Sequence, residues 1–326
     1  MSIMMPVPRP AGTRRFRSPW SAYDVADEKL RPEAFLERTG LDYTVEKRPS
    51  LFDVNGEVTT VPNQFHLVRS SDNHVVSPST VSKSYGVITP SMVVENVLKT
   101  FYDAGFGNFC AGFQTRNGSR EHIAFRLDFG QDNDILENPL PSDSWENYLV
   151  ITNSHGGSKL EGGLHRLRRV CSNGLHVYGY ELSFGIRHTG DVRLKLETVR
   201  QNWQAAREVI AKQNAMLEKL AATQCDVRRV IEDILGISGK IAAGQKVSAQ
   251  LETKRDPIES YAKRADMGAD GRTLYAVLNG FTAFASHDAW QLPEEDDGTA
   301  LLDSMLGGTR DREVERAYEA LASLVA

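Results

Sequence analysis

The stretch from His165 to Arg200 sets seven arginines and lysines against three carboxylates, in a chain whose formal net charge is -5. Such a local concentration of cations on an acidic protein is a focused field, and it calls for an anionic partner, a set of buried carboxylates, or solvent. With Leu164 to Val170 as a strand, Arg166 and Arg168 share one face about 7 Å apart, while His165, Leu167 and Arg169 face the other way. That spacing is close to the step between successive phosphates of a single strand, and guanidinium groups bind phosphate bidentately. Arg187 and His188 end the neighbouring strand, and Arg193, Lys195 and Arg200 open the helix that follows. Tyr178 and Tyr180 interleave with this charge, and base stacking on such rings contributes about 1–3 kcal/mol each without sequence preference. The expected nucleic-acid contacts are therefore Arg166, Arg168, Arg169, Arg187, Arg193, Lys195, Tyr178 and Tyr180.

Other chemistries find weaker footing. His155-Gly156-Gly157-Ser158-Lys159 is glycine-rich and holds a lysine, but it lacks the spacing of a phosphate loop and reads as a hairpin connection between Thr152 and Leu164. Ser286-His287-Asp288 are adjacent at a helix end, where neighbouring side chains point about 100° apart, so they form no triad. The eight histidines are scattered, and the three cysteines, Cys110, Cys171 and Cys225, sit in no Cys-x-x-Cys pair. The expectation is a reduced, cytoplasmic protein that is not an enzyme, with no cofactor, no metal and no membrane span. A metal-dependent nuclease using Asp128, Asp132 or Asp134 with a histidine is one alternative. A protein-binding module whose acidic surface mimics DNA in an anti-defence role is another.

The elements that must position these residues change character along the chain. Residues 1–33 read as a flexible basic arm and lead-in, rich in Pro, Gly and Arg. Residues 34–190 read as a β-rich core. Leu41 to Val45, Phe65 to Arg69, His122 to Phe129, Tyr148 to Thr152, Leu164 to Cys171 and Tyr178 to Ile186 are its strands, with Asn55-Gly56 as a turn and one helix from Ser91 to Gly105. Near Gly190 the apolar period lengthens. Val192, Leu196, Val199, Trp203, Ala206, Ile210, Leu217 and Leu220 step by threes and fours, with Gln213 interrupting, which predicts a helix over 191–222 of about 45 Å. A seam of that kind wants a partner helix in this chain or in another copy. Further helices follow: one capped by Asp226, one from Val247 to Arg264 with a break or kink at Pro257, and one from Arg272 to about Ala289. An acidic loop from Pro293 to Gly298 and a last helical region interrupted by Gly307-Gly308 complete the 191–326 half. Strands first and helices after predict an α+β fold, with one helix packed on the sheet.

Tyr148 to Gly157 (Tyr-Leu-Val-Ile-Thr-Asn-Ser-His and two glycines), Arg169 to Leu175, Ile186 to Gly190 and Thr273 to Thr282 carry a resemblance. From about Ala34 to Ala322 the chain resembles the uncharacterised phage/plasmid-like proteins of mobile elements. In general plan it is also similar to phage single-strand annealing proteins. That likeness implies a sheet with a helix, a basic groove, a helical C-terminal part, ring or filament assembly, and no use of ATP. The expected activity is ATP-independent single-stranded DNA binding and annealing by a homo-oligomer, in phage or plasmid DNA recombination.

Overall fold

The computed structural model describes residues 23–77, 79–140, 144–155, 159–168, 182–202, 206–264, 271–287, 306 and 309–326. Strands gather in the first half and helices in the second, so the chain is α+β. Its first helix, α1 (Pro32–Thr39), has proline at the start and is closed by Gly40 in the left-handed region. Proline is tolerated there because the first turn has no intrahelical use for its N–H.

Asn55 and Gly56 take φ of 56° and 86°. Two residues at positive φ form the turn whose twist matches a hairpin, and they join β1 (Val45–Val54) to β2 (Glu57–Arg69) as a separate antiparallel pair. Next come α2 (Pro90–Val93), a π-helical turn (Val94–Leu98) and α3 (Lys99–Asp103), a helical run opened by the Thr89 side chain accepting from Met92 N. The main sheet is an antiparallel meander of β3 (Gly107–Thr115), β4 (Arg120–Leu127), β5 (Trp145–Ser154), β6 (Leu160–Arg168) and β7 (Phe184–Ile186), in that order. The short α4 (Asn133–Glu137) sits between β4 and β5. The segment between Thr152 and Leu164 is thus a β5–β6 hairpin and not a strand-to-helix loop.

Both sheet faces are covered. Phe109, Ile123, Phe125, Leu149, Ile151 and Leu164 meet Val94, Val97 and Leu98 of the π-helical turn on one side. Phe113, Ala124, Tyr148, Val150 and Leu167 form a smaller cluster with Leu306 on the other. Every residue of β5 is consequently buried.

The apolar seam that follows forms two described helices, α5 (Val192–Asn202) and α6 (Ala206–Ala222). Leu196, Ala206, Val209 and Ile210 join the sheet core, so the seam is met by this chain's own helix and sheet. The side chains of Val199 and Trp203 lie outside the described residues. Further along the same helix, Leu217 and Leu220 enter a second core. That core is built by α7 (Val227–Ile234), α8 (Ile237–Ala242), α9 (Ala249–Ala262), α10 (Leu274–His287) and α11 (Thr309–Ser323). Asp226 caps α7 by accepting from Arg229 N at 3.2 Å, and α9 runs on through Pro257. Trp145 of β5 also belongs to the second core, which links it to the sheet. Among the described residues no helix is long and apolar enough to cross a membrane.

Candidate functional site

The cations of the basic stretch divide between interior and surface. Arg166 is fully buried: its Nε donates to Asn147 Oδ1 at 2.9 Å and its Nη2 to Leu136 O at 3.0 Å. Its guanidinium lies 5.3 Å from the Trp145 ring centroid, a cation–π contact in a closed compartment. The expectation that Arg166 contacts a phosphate backbone is therefore corrected. In the β5–β6 register Arg166 pairs with Asn147 on the face that also carries Leu149 and Leu164, which is the helix-covered side. Arg168 ends β6 with its side chain outside the described residues, and Arg169, Tyr178 and Tyr180 lie outside them altogether. Lys195 is half-buried, its Nζ donating to the carbonyls of Arg187 and Thr189, which ties the first turn of α5 to the loop after β7. Arg187 and Arg193 are exposed and make no ion pair among the described residues.

Arg187 opens onto a cleft of about 550 Å³ beside the β6–β7 edge. Lys159, exposed and equally without a described ion pair, lines it too, together with the hydroxyls of Ser79, Thr80 and Thr189. Tyr85 and His188 form its inner wall, their rings stacked at 4.8 Å and 6°. A second opening of about 330 Å³ shares Lys159 and Glu161 with the first and continues to Thr152, His165 and Arg312. The two openings thus follow the sheet edge as a groove with Lys159 at the join. Its lining also includes Glu161 and Glu315. Tyr85 does not stand out in the sequence, because it lies in a segment with no period, and Lys159 is noticed there only as the lysine of a glycine-rich hairpin connection.

Behind the inner wall lies a buried polar network. Glu121 on β4 accepts from His155 Nε2 at 2.8 Å and from Asn153 Nδ2 at 2.6 Å, and Tyr43 donates to it as well. Arg69 stacks over Tyr43 at 5.2 Å and closes a two-pronged pair with Asp72 at 2.9 and 2.7 Å. That guanidinium holds the Asp72 carboxyl at about 2, well below the usual carboxylate range, chiefly through the hydrogen bond. Burial, reinforced by the Glu121 charge, pushes the Tyr43 and Tyr85 hydroxyls well above their ordinary value. His188 donates from Nδ1 to Gly86 O at 3.1 Å, and burial lowers its basicity. Two of the stretches that carry the family resemblance therefore meet here: one holds His155 and the other His188. The network fixes the loop from Tyr85 to Ile88 against the sheet, since Asn153 also donates to Ile88 O at 2.8 Å.

The carboxylates that a nuclease would use are engaged elsewhere. Asp128 accepts from Gly130 N at 2.8 Å and from Asn133 Nδ2 at 2.6 Å, Asp132 pairs with Arg207 at 2.9 Å, and Asp134 accepts from Asn138. Among the described residues no three His, Cys, Asp or Glu side chains converge as metal ligands. Cys110 is a buried free thiol, pushed up to about 12 by burial, and is unsuited to nucleophilic work.

No curated protein and no solved structure shows significant similarity to the chain. A family model matches residues 78–321, a span that includes the groove, the His155 and His188 stretches and the second core. The chain belongs to the family described as domain of unknown function DUF932.

Proposed function

We propose that this protein binds single-stranded DNA along the β6–β7 edge groove and anneals complementary strands without ATP. The observation that carries the reading is the group of exposed cations at the edge. Lys159 and Arg187 have no described carboxylate partner, and they flank an open cleft with a tyrosine in its wall. Cations on a rim hold phosphates by charge without reading sequence, and an aromatic wall offers a platform to any base. A strand held by its backbone keeps its bases accessible. A second strand then pairs without competing for the same contacts, and duplex formation runs downhill once the two are aligned.

Two cations per copy give weak binding, with a salt slope of roughly 1.4 at about 0.7 per neutralised phosphate of a single strand. Several copies on one strand add their contacts, so assembly raises the affinity. Recombination of phage or plasmid DNA, which the resemblance of the sequence implies, is the setting in which such an activity fits. The test is fluorescence anisotropy with labelled single- and double-stranded oligonucleotides over a salt series, followed by an annealing assay in EDTA without nucleotide. Salt-dependent preference for single strands and faster annealing support the reading. Absence of binding at low salt, or shortened DNA that appears only with magnesium or manganese, overturns it.

A further inference from the structure

All ten residues from Leu51 to Thr60, which form the tip of the β1–β2 hairpin, are exposed. Leu51, Phe52, Val54 and Val58 are 60%, 45%, 49% and 63% accessible, a concentration of large apolar side chains unusual for a solvated loop. The register fixes how they are shared. Leu51 opposes Thr60 and Asp53 opposes Val58 on one face, while Phe52 opposes Thr59 and Val54 opposes Glu57 on the other. Each face of the ribbon thus carries two large apolar residues and one carboxylate. A bare two-stranded ribbon is marginal in water, and this one extends about 13 Å past its last buried position in β1, at roughly 3.3 Å per residue. The only charged residues between Pro49 and Gln64 are Asp53 and Glu57, so the tip repels phosphate and is no nucleic-acid wedge.

We infer that the hairpin tip is an assembly arm that docks on a second copy of this chain. The complementary surface lies on the same molecule. The first turn of α5 presents Leu194, 65% accessible, beside exposed Arg193, while the carboxylate of Asp191 is turned back onto the N–H groups of both at 3.0 and 3.1 Å. An acidic, apolar tip meeting a basic, apolar turn makes a head-to-tail contact. Repeated from copy to copy, such a contact builds a ring or an open filament. Tip-to-tip pairing would instead bring Asp53 and Glu57 of both copies together. The proposal rests on the assembly half of the annealing reading and not on its DNA half.

The experiment measures mass by light scattering and sedimentation velocity over a concentration series of the full chain, without nucleic acid. Wild-type protein is expected above the mass of one chain, increasingly so with concentration. Phe52→Asp with Val58→Asp is expected to reduce it to a single chain, with unchanged far-UV circular dichroism and thermal midpoint. Asp53→Lys with Glu57→Lys should do the same, and adding Arg193→Glu should restore the larger species. A wild type that stays a single chain at every concentration overturns the proposal, as does a Phe52/Val58 variant that keeps the wild-type mass. A variant that keeps its mass but loses oligonucleotide binding shows the tip to be a DNA element and also overturns it. Failure of the charge reversal to restore assembly removes α5 as the receptor and with it the head-to-tail contact. Because DNA is absent from the mass measurement, a failure of the DNA reading leaves this result untouched.

Discussion

Arg166→Ala and Arg187→Ala are expected to fail in opposite ways, although both arginines belong to the same basic stretch. Truncating Arg166 removes the donors to Asn147 Oδ1 and Leu136 O. Leu136 O keeps a donor in Asn214 Nδ2 at 3.3 Å, but the hydrogen bond to Asn147 Oδ1 is lost with the guanidinium. A buried acceptor left unsatisfied costs about 1–3 kcal/mol, and the space vacated against Trp145 adds about 2 kcal/mol. Relief from burying the guanidinium offsets part of this. The net loss is about 3 kcal/mol, a large share of the ~5–15 kcal/mol that holds a typical domain. Urea denaturation of Arg166→Ala should therefore show a much lower midpoint. In the fraction that remains folded, the salt dependence of oligonucleotide binding should be that of the wild type. Arg187 is exposed and makes no described ion pair. Its truncation should leave stability within about 0.5 kcal/mol and lower the salt slope by about 0.7. A wild-type urea midpoint for Arg166→Ala together with a reduced salt slope would refute the buried placement and restore that side chain to the phosphate-binding surface.

Three further outcomes follow from the buried groups. Burial raises the Tyr43, Tyr85 and Tyr148 hydroxyls above the ordinary tyrosine value, so above about pH 10 the unfolded chain releases protons that the folded one keeps. Their contribution should be level below that pH and then fall by up to ~1.4 kcal/mol per pH unit for each of the three, and a flat urea profile between about pH 9 and pH 11 would contradict it. His188 is less basic in the folded chain than in the unfolded one, so its contribution is present above about pH 6.5 and declines as the pH falls below it; a ring-proton titration followed by NMR should find its midpoint under the free-histidine value. Gly280 of α10 faces α9 so closely that a Cβ would sit 2.6 Å from Ile258 O. Gly280→Ala should cost about 1–3 kcal/mol by forcing the two helices apart, visible as a lower thermal midpoint, whereas an unchanged midpoint would mean the crossing yields easily.

Much of the fold is legible in local pattern. Asn55-Gly56 marks a true two-residue turn, the step from period two to longer spacing near Gly190 marks the change from strands to helices, and Leu196 and Ile210 are buried as their spacing implies. β3 escapes pattern reading because a bulge at Cys110 breaks its alternation between Phe109 and Ala111. The basic stretch misleads at Arg166 for a different reason. Alternation tells which residues share a face of β6, but both faces of this sheet are covered, so alternation does not say which face meets solvent. The groove itself is illegible in sequence because its parts come from three distant segments. Tyr85, Lys159 and Arg187 meet only once β6 and β7 pair and the Tyr85–Ile88 segment is bonded to Asn153 of the central strand.

The place of Trp145 has a consequence for the order in which the chain is made. It emerges on the fifth strand, yet the core that closes over it is completed by Tyr275, Phe281 and Leu321. At roughly 5–20 residues per second, Leu321 leaves the ribosome on the order of ten to thirty seconds after Trp145. The sheet side is completed earlier, once Leu196 and Ile210 have been delivered. During that interval a nascent chain carries a nearly finished sheet with one large indole uncovered. Synthesis thus has a window in which the half-made protein is adhesive, and a ribosome stalled within α9 or α10 would hold it there.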